Sequence, residues 1–236
     1  MFPLYDENAT TRQPIATIAI IIICVAAWLF VQGFGSPQPL AHSLCAFGLI
    51  PGKLLGLLPP GTHVRVGRDM YCIVQDQRGV YTLLTHMFLH GGWFHLIGNM
   101  WFLWVFGDNV EDALGPGRFI LFYLLCGLVA AGAQILTNTT SALPMVGASG
   151  AIGGIMGAYG RLYPHARVQT LLFLGFFITT VSLPAMAMLG YWFVIQLVAG
   201  IPSLSATGGG VAFWAHIGGF LCGFLLVPLV RNPAYE

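Results

Sequence analysis

Charge is what this sequence has least of. Of its 236 residues, 9 are Lys or Arg and 8 are Asp or Glu, 7% together, against 57% apolar residues. A soluble domain carries about 25% charged residues, so in water this chain would present a largely apolar surface. A bilayer is the solvent that suits it. The net charge is only +1 and no basic cluster is present, which argues against a nucleic-acid partner. The five cysteines form no CxxC pair, which argues against a zinc site or a thioredoxin-like motif. Cys24, Cys126 and Cys222 fall in apolar runs and read as buried bystanders, whereas Cys45 and Cys72 share one long loop in which a disulfide is open to them.

What the chain does have is long apolar segments. The first 14 residues are polar, with Asp6, Glu7 and Arg12, and the run from Ile15 is too long for a signal-peptide core and lacks a small-residue cleavage site. It reads as a retained span. Helical spans of about 20 residues are predicted at about 15–35, 94–112, 119–137, 149–163, 183–200 and 211–230. The first loop, 36–93, holds Lys53, Arg65, Arg68, Arg78, several prolines and apolar pieces too short to cross, and it is expected to lie at the membrane surface. The stretch 168–182, "VQTLLFLGFFITTVS", is short for a helical crossing and is read as interfacial or re-entrant. The expected fold is therefore a single all-α polytopic membrane domain over 1–236, a bundle of six transmembrane helices.

With six spans, Arg12, Arg118, Arg161, Arg167 and Arg231 fall on one face, and the short loops 138–148 and 201–210 on the other have no Lys or Arg. This bias predicts that both termini face the cytoplasm. His95 and Asn99 then start span two, Ser149 starts span four and His216 starts span six. All three spans run inward, so four polar side chains share one depth near the outer surface.

A serine hydroxyl needs a base to become a nucleophile, and histidine is the usual one near neutral pH. Of seven histidines, five, ending with His95, precede the core of span two and His165 falls on the cytoplasmic side, which leaves His216 at the start of span six. Gly153 and Gly157 follow Ser149 at helical spacing, and Gly219 and Gly223 form GxxxG below His216. Such small residues let helix backbones approach closely in a membrane; Gly147 and Gly150, flanking the serine, belong with them. His95 and Asn99 lie on one helical face and can donate to an oxyanion, as can the amide of Ser149. No carboxylate completes a triad, because "FGDNVED" lies at the cytoplasmic end of span two. The acids on the correct side are Asp69 and Asp76. The residues predict a Ser149–His216 dyad.

"HLIGNM", "GASGAIGGIMGAY" and "AHIGGFLCGF" resemble, in order and spacing, the three signature regions of rhomboid intramembrane serine proteases, over about 85–230. The resemblance implies Ser149 as nucleophile, His216 as base, and His95 and Asn99 in the oxyanion hole. It also implies cleavage of transmembrane protein substrates near the outer membrane face, without a cofactor or metal. A bacterial inner membrane is the expected location, a first loop partly in the outer leaflet is implied, and span five with its cap, about 183–210, corresponds to a mobile gate. Two departures stand out. Tyr81-Thr82 replace a structural Trp-Arg dipeptide of many members, and Gly153 stands where some carry a tyrosine that packs on the catalytic imidazole.

Other readings make different demands. A metal site on His86, His90 and His95 has no nearby acid or cysteine to complete it, and His86 and His90 read as hydrogen-bonding residues of the first loop. A transporter needs polar residues continuing to the cytoplasmic face, where the spans are mainly apolar and glycine. A silent, client-binding relative would be expected to have lost the serine or the histidine, and both are present. Substrate identity and oligomeric state leave no mark in the sequence.

Overall fold

The computed structural model describes residues 1–66, 70–74, 78–175, 177–204 and 210–231. The chain opens on a strand, β1 (Phe2–Asp6), followed by α1 (Ile15–Ala26), which runs on through a π-helical turn, Ala27–Val31. The first loop contains α2 (Pro37–Phe47), the short α3 (Pro51–Leu54), a hairpin of β2 (His63–Arg65) and β3 (Tyr71–Ile73), and α4 (Thr82–Thr85). Then come α5 (Trp93–Leu114), α6 (Pro116–Thr137) and α7 (Ser149–Leu162). A second hairpin, β4 (Arg167–Leu174) and β5 (Phe177–Pro184), leads to α8 (Ala185–Ser203) and α9 (Phe213–Val230). Helices thus occupy all six of the predicted apolar segments. Three of them, α6, α8 and α9, are long and apolar enough to cross a membrane by themselves. By contrast α7 has 14 residues, and the last two turns of α5 carry Asp108, Glu111 and Asp112.

The fold is mostly helical, but the all-α expectation is corrected by two sheets. One, in the order β1-β4-β5, is antiparallel throughout, with Phe2 opposite Leu171 and Arg167 opposite Pro184. The stretch read as interfacial or re-entrant is this β4–β5 hairpin. Its β-branched and aromatic residues favour strands, Gly175 (φ +63°) supplies the left-handed turn residue, and β1 takes up one edge. Its central run, 171–178, is apolar and glycine throughout and carries no period to separate strand from helix. Trp101 Nε1 donates to the Pro3 carbonyl at 2.6 Å, Phe2 packs on Trp101 and Phe102, and Asn109 Nδ2 donates to Asp6 at 3.0 Å. The N-terminal segment therefore lies along α5 from Trp101 to Asn109.

Around the bundle, Phe30, Phe94, Leu136 and Leu229 are each more than 80% exposed, an apolar periphery that suits lipid. The reversal between α5 and α6 is made by Gly115 (φ +79°) and Pro116, a left-handed helix end followed by a residue prearranged for a first turn.

Glu111 stands in the last turn of α5 but is withdrawn from solvent. It is buried, and its carboxylate accepts from the amides of Ala16 and Thr17 at 2.9 and 2.7 Å and from Thr17 Oγ1 at 2.8 Å. It satisfies first-turn donors of α1 that have no acceptor within the helix. Glu111→Ala is expected to cost about 1–3 kcal/mol by orphaning them. Asp112→Ala, which breaks the exposed contacts to Thr11 and Arg12, costs under about 1 kcal/mol. Thermal unfolding of the two purified variants in detergent checks the order.

Candidate active site

The segment before Ser149 is held by the first loop. Leu49 and Met145 exchange backbone hydrogen bonds at 3.0 and 2.8 Å, and the Gly147 amide donates to the His86 carbonyl at 2.9 Å. The first loop is itself tied down in several places. A Cys45–Cys72 disulfide joins α2 to β3. Gln32 clamps the His90 backbone with both ends of its amide, at 2.7 and 2.9 Å. Tyr81 donates to the Ala46 carbonyl at 2.8 Å and sets its ring edge-on to Phe47.

Gly147 adopts φ +131°, and a Cβ there would lie 2.7 Å from His95 Nε2 and 3.4 Å from Ser149 Oγ. Only glycine lets His95 and Ser149 border the same point. Ser149 Oγ lies 2.8 Å from His216 Nε2, and His216 Nδ1 lies 2.8 Å from Gln196 Oε1 on α8. Trp192, also on α8, sets its ring 5.8 Å from the imidazole at a tilt of 35°. With an N–H at Nδ1 donating to Gln196, Nε2 is free to accept the Ser149 hydroxyl proton. Such hydroxyl-to-imidazole geometry suits nucleophilic attack by serine. His95 Nδ1 accepts from the Gly91 amide at 3.1 Å, which leaves its Nε2 as the donor on the Gly147 side. Asn99 is buried one turn further along α5, and its Nδ2 has no hydrogen-bond partner among the described residues. A buried unpaired donor calls for an explanation.

The structure thus brings Ser149, His216 and His95 together and leaves Asn99 close by with a free donor. Asp69 and Asp76 lie outside the described residues. Gln196 and Trp192 were missed by sequence reasoning, although a signal existed: Gln196 is the lone amide in the apolar segment 183–200.

The glycines form the contact between α7 and α9. A Cβ on Gly153 would come within 3.0 Å of the His216 carbonyl oxygen, and one on Gly157 would overlap that of Phe220. From the other side, Cβ atoms on Gly219 and Gly223 would overlap the carbonyl oxygens of Gly150 and Gly154. Gly150 also faces α6, where a Cβ would sit 2.7 Å from Ala130 Cβ. The GxxxG of α9 is thus occupied within the chain.

His86 Nδ1 bonds the Thr82 carbonyl at 2.8 Å. The ring of His90, by contrast, makes no hydrogen bond among the described residues and stands edge-on to His95, so its expected hydrogen-bonding role falls to its backbone. Burial pushes both imidazoles down, His86 to about 4 and His90 to about 3, with the neighbouring His95 adding to the effect on His90. Both are neutral near pH 7. Among the described residues, no three His, Cys, Asp or Glu side chains are grouped to hold a metal ion. Of the cysteines read as buried, Cys222 is only partly so, with its sulfur 3.8 Å from that of Cys126.

Residues 77–233 match the Rhomboid domain family. The chain belongs to the rhomboid family. It is 26% identical to Rhomboid protein 1, mitochondrial, of Saccharomyces cerevisiae, over 95% of this chain and 66% of that protein. It is 32% identical to RHOMBOID-like protein 1 of Arabidopsis thaliana, over 83% of this chain and 47% of that one. With Rhomboid protease GluP of Bacillus subtilis it shares 35% identity over 65% of this chain and 26% of the relative. The chain therefore spans only part of the length of these curated relatives. Rhomboid membership and the apolar helices make this a multi-pass membrane protein, and the match covers α5 to α9, the helices that carry His95, Asn99, Ser149, Gln196 and His216.

Proposed function

We propose that this rhomboid protein is an intramembrane serine endopeptidase that cleaves transmembrane protein substrates near the outer membrane face. The observation that carries the reading is the 2.8 Å approach of Ser149 Oγ to His216 Nε2. Ser149 Oγ attacks the scissile carbonyl carbon while its proton passes to His216 Nε2. The developing oxyanion accepts from His95 Nε2–H, Asn99 Nδ2 and the Ser149 amide, a kind of electrostatic support worth several kcal/mol. His216 then protonates the leaving amine. Water attacks the acyl carbon while its proton passes to the same nitrogen; the acyl–Oγ bond then breaks, Ser149 Oγ takes that proton back from His216, and the carboxyl product departs.

The membrane arrangement proposed with it is a single domain of six crossings, α1, α5, α6, α7, α8 and α9, with both termini in the cytoplasm, as the basic residues favour. The first loop then lies outside. Its Cys45–Cys72 disulfide suits an oxidising compartment such as the periplasm, which supports a bacterial inner membrane as the location.

The test is cleavage of a fluorescent transmembrane substrate in proteoliposomes by the wild type, Ser149→Ala and His216→Ala. Cleavage that depends on both side chains carries the reading, and substrate binding without cleavage by the wild type would mark a client-binding protein instead. In the same assay Asn99→Ala is expected to lower kcat about 100-fold without abolishing turnover, the effect of losing one oxyanion donor.

A further inference from the structure

The base takes its orientation from a helix that carries neither the base nor the nucleophile. Gln196 and Trp192 are four residues apart and so share a face of α8. The amide oxygen of Gln196 meets the Nδ1 edge of His216, and the indole lies against the ring. That face is seated on α9 by Phe193 against Phe220 at 4.8 Å, and by the Trp214 indole N–H donating to the Gly200 carbonyl at 3.1 Å. Gly200 permits the approach, since a Cβ there would lie 3.3 Å from Phe213.

We propose that Gln196 is the positioning residue of His216, the third member of a Ser149–His216–Gln196 relay. The proposal rests on the protease reading above. A neutral imidazole carries its proton on either nitrogen, and only the Nδ1–H form offers Nε2 to the serine. An acceptor at Nδ1 selects that form and fixes the ring plane. A carboxylate does this in Ser-His-Asp triads, but within a span it would add a buried charge. An amide supplies the acceptor without the charge. Gln196 is buried, which suits a fixed acceptor. Around the imidazole, α7 contributes the Ser149 hydroxyl, α8 the uncharged Gln196 and Trp192, and α5 the titratable His95.

The test uses the full chain in proteoliposomes, with Gln196→Leu, which removes the acceptor, and Gln196→Glu, which keeps its shape and adds a charge. For Gln196→Leu, kcat is expected to fall about 10- to 100-fold with KM unchanged. For Gln196→Glu, kcat recovers at alkaline pH and the acidic limb of its pH profile moves upward by about one unit, because an adjacent anion favours the imidazolium. Nitrogen-15 NMR of histidine-labelled protein reads the tautomer of His216 without reference to cleavage: Nδ1–H in the wild type, a mixture in Gln196→Leu. Wild-type kcat and tautomer in Gln196→Leu would overturn the proposal. If that variant does not fold, an unmoved acidic limb in Gln196→Glu overturns it. A wild type that cleaves nothing but shows the tautomer change would overturn the protease reading and leave the positioning role standing.

Discussion

Ser149→Ala is expected to lower cleavage by about 10⁴-fold or more, and His216→Ala by a similar factor. The two effects do not add. The hydroxyl is a nucleophile only while Nε2 takes its proton, and the base has no other task until the acyl group forms, so the double variant should match either single one. Losing the Ser149 Oγ removes one hydrogen bond and leaves the α7–α9 contact untouched, so Ser149→Ala should fold and melt as the wild type does. It should also still bind substrate, because His95 and Asn99 remain in place. Turnover measured with thermal unfolding on the same samples separates lost chemistry from lost structure. Cleavage within tenfold of wild type by either variant would remove the dyad as the source of catalysis.

Gly219→Ala and Gly223→Ala are expected to have the second largest effect. Each adds one methyl group where it would overlap a backbone oxygen of α7, that of Gly150 or of Gly154. A backbone carbonyl inside a helix cannot rotate aside as a side chain can, so the helices must separate. Overpacking of this kind costs about 1–3 kcal/mol. The functional cost is larger, because Gly219 lies one turn from His216, and Gly150 follows Ser149 directly. A shift of about 1 Å between reacting groups can cost about 100-fold in rate. Gly132→Ala and Gly190→Ala serve as controls, since a Cβ at either position meets nothing within 4 Å. Losses of kcat in the first pair, with both controls near wild type, would tie the glycines to the dyad. Equal behaviour of all four would show that the close approach is dispensable.

The helices were legible because bilayer-length apolar runs, ended by glycine, proline and polar residues, are read along the chain. The predicted 94–112 appears as Trp93–Leu114, and 149–163 as Ser149–Leu162. The candidate site was legible in part because Ser149 and His216 are isolated polar residues at the starts of apolar segments. The β4–β5 hairpin was not, since the run at its centre carries no period and β1, the strand that completes the sheet, pairs with it from more than 160 residues away in sequence. The burial of Glu111 was not legible either, since it depends on α1 bringing its first-turn amides to the carboxylate.

The sequence by itself determined the solvent, the apolar helices and the residue types able to perform acyl transfer, since each of these follows from composition or from spacing along a helix. Only the tertiary structure decided that Gly153, Gly157, Gly219 and Gly223 bring α7 against α9 closely enough to put Ser149 Oγ 2.8 Å from His216 Nε2. It alone decided that Nδ1 meets Gln196, an amide on α8. A hydrogen bond depends on distance and direction between groups on different helices. Those are set by how backbones pack, which local spacing does not encode.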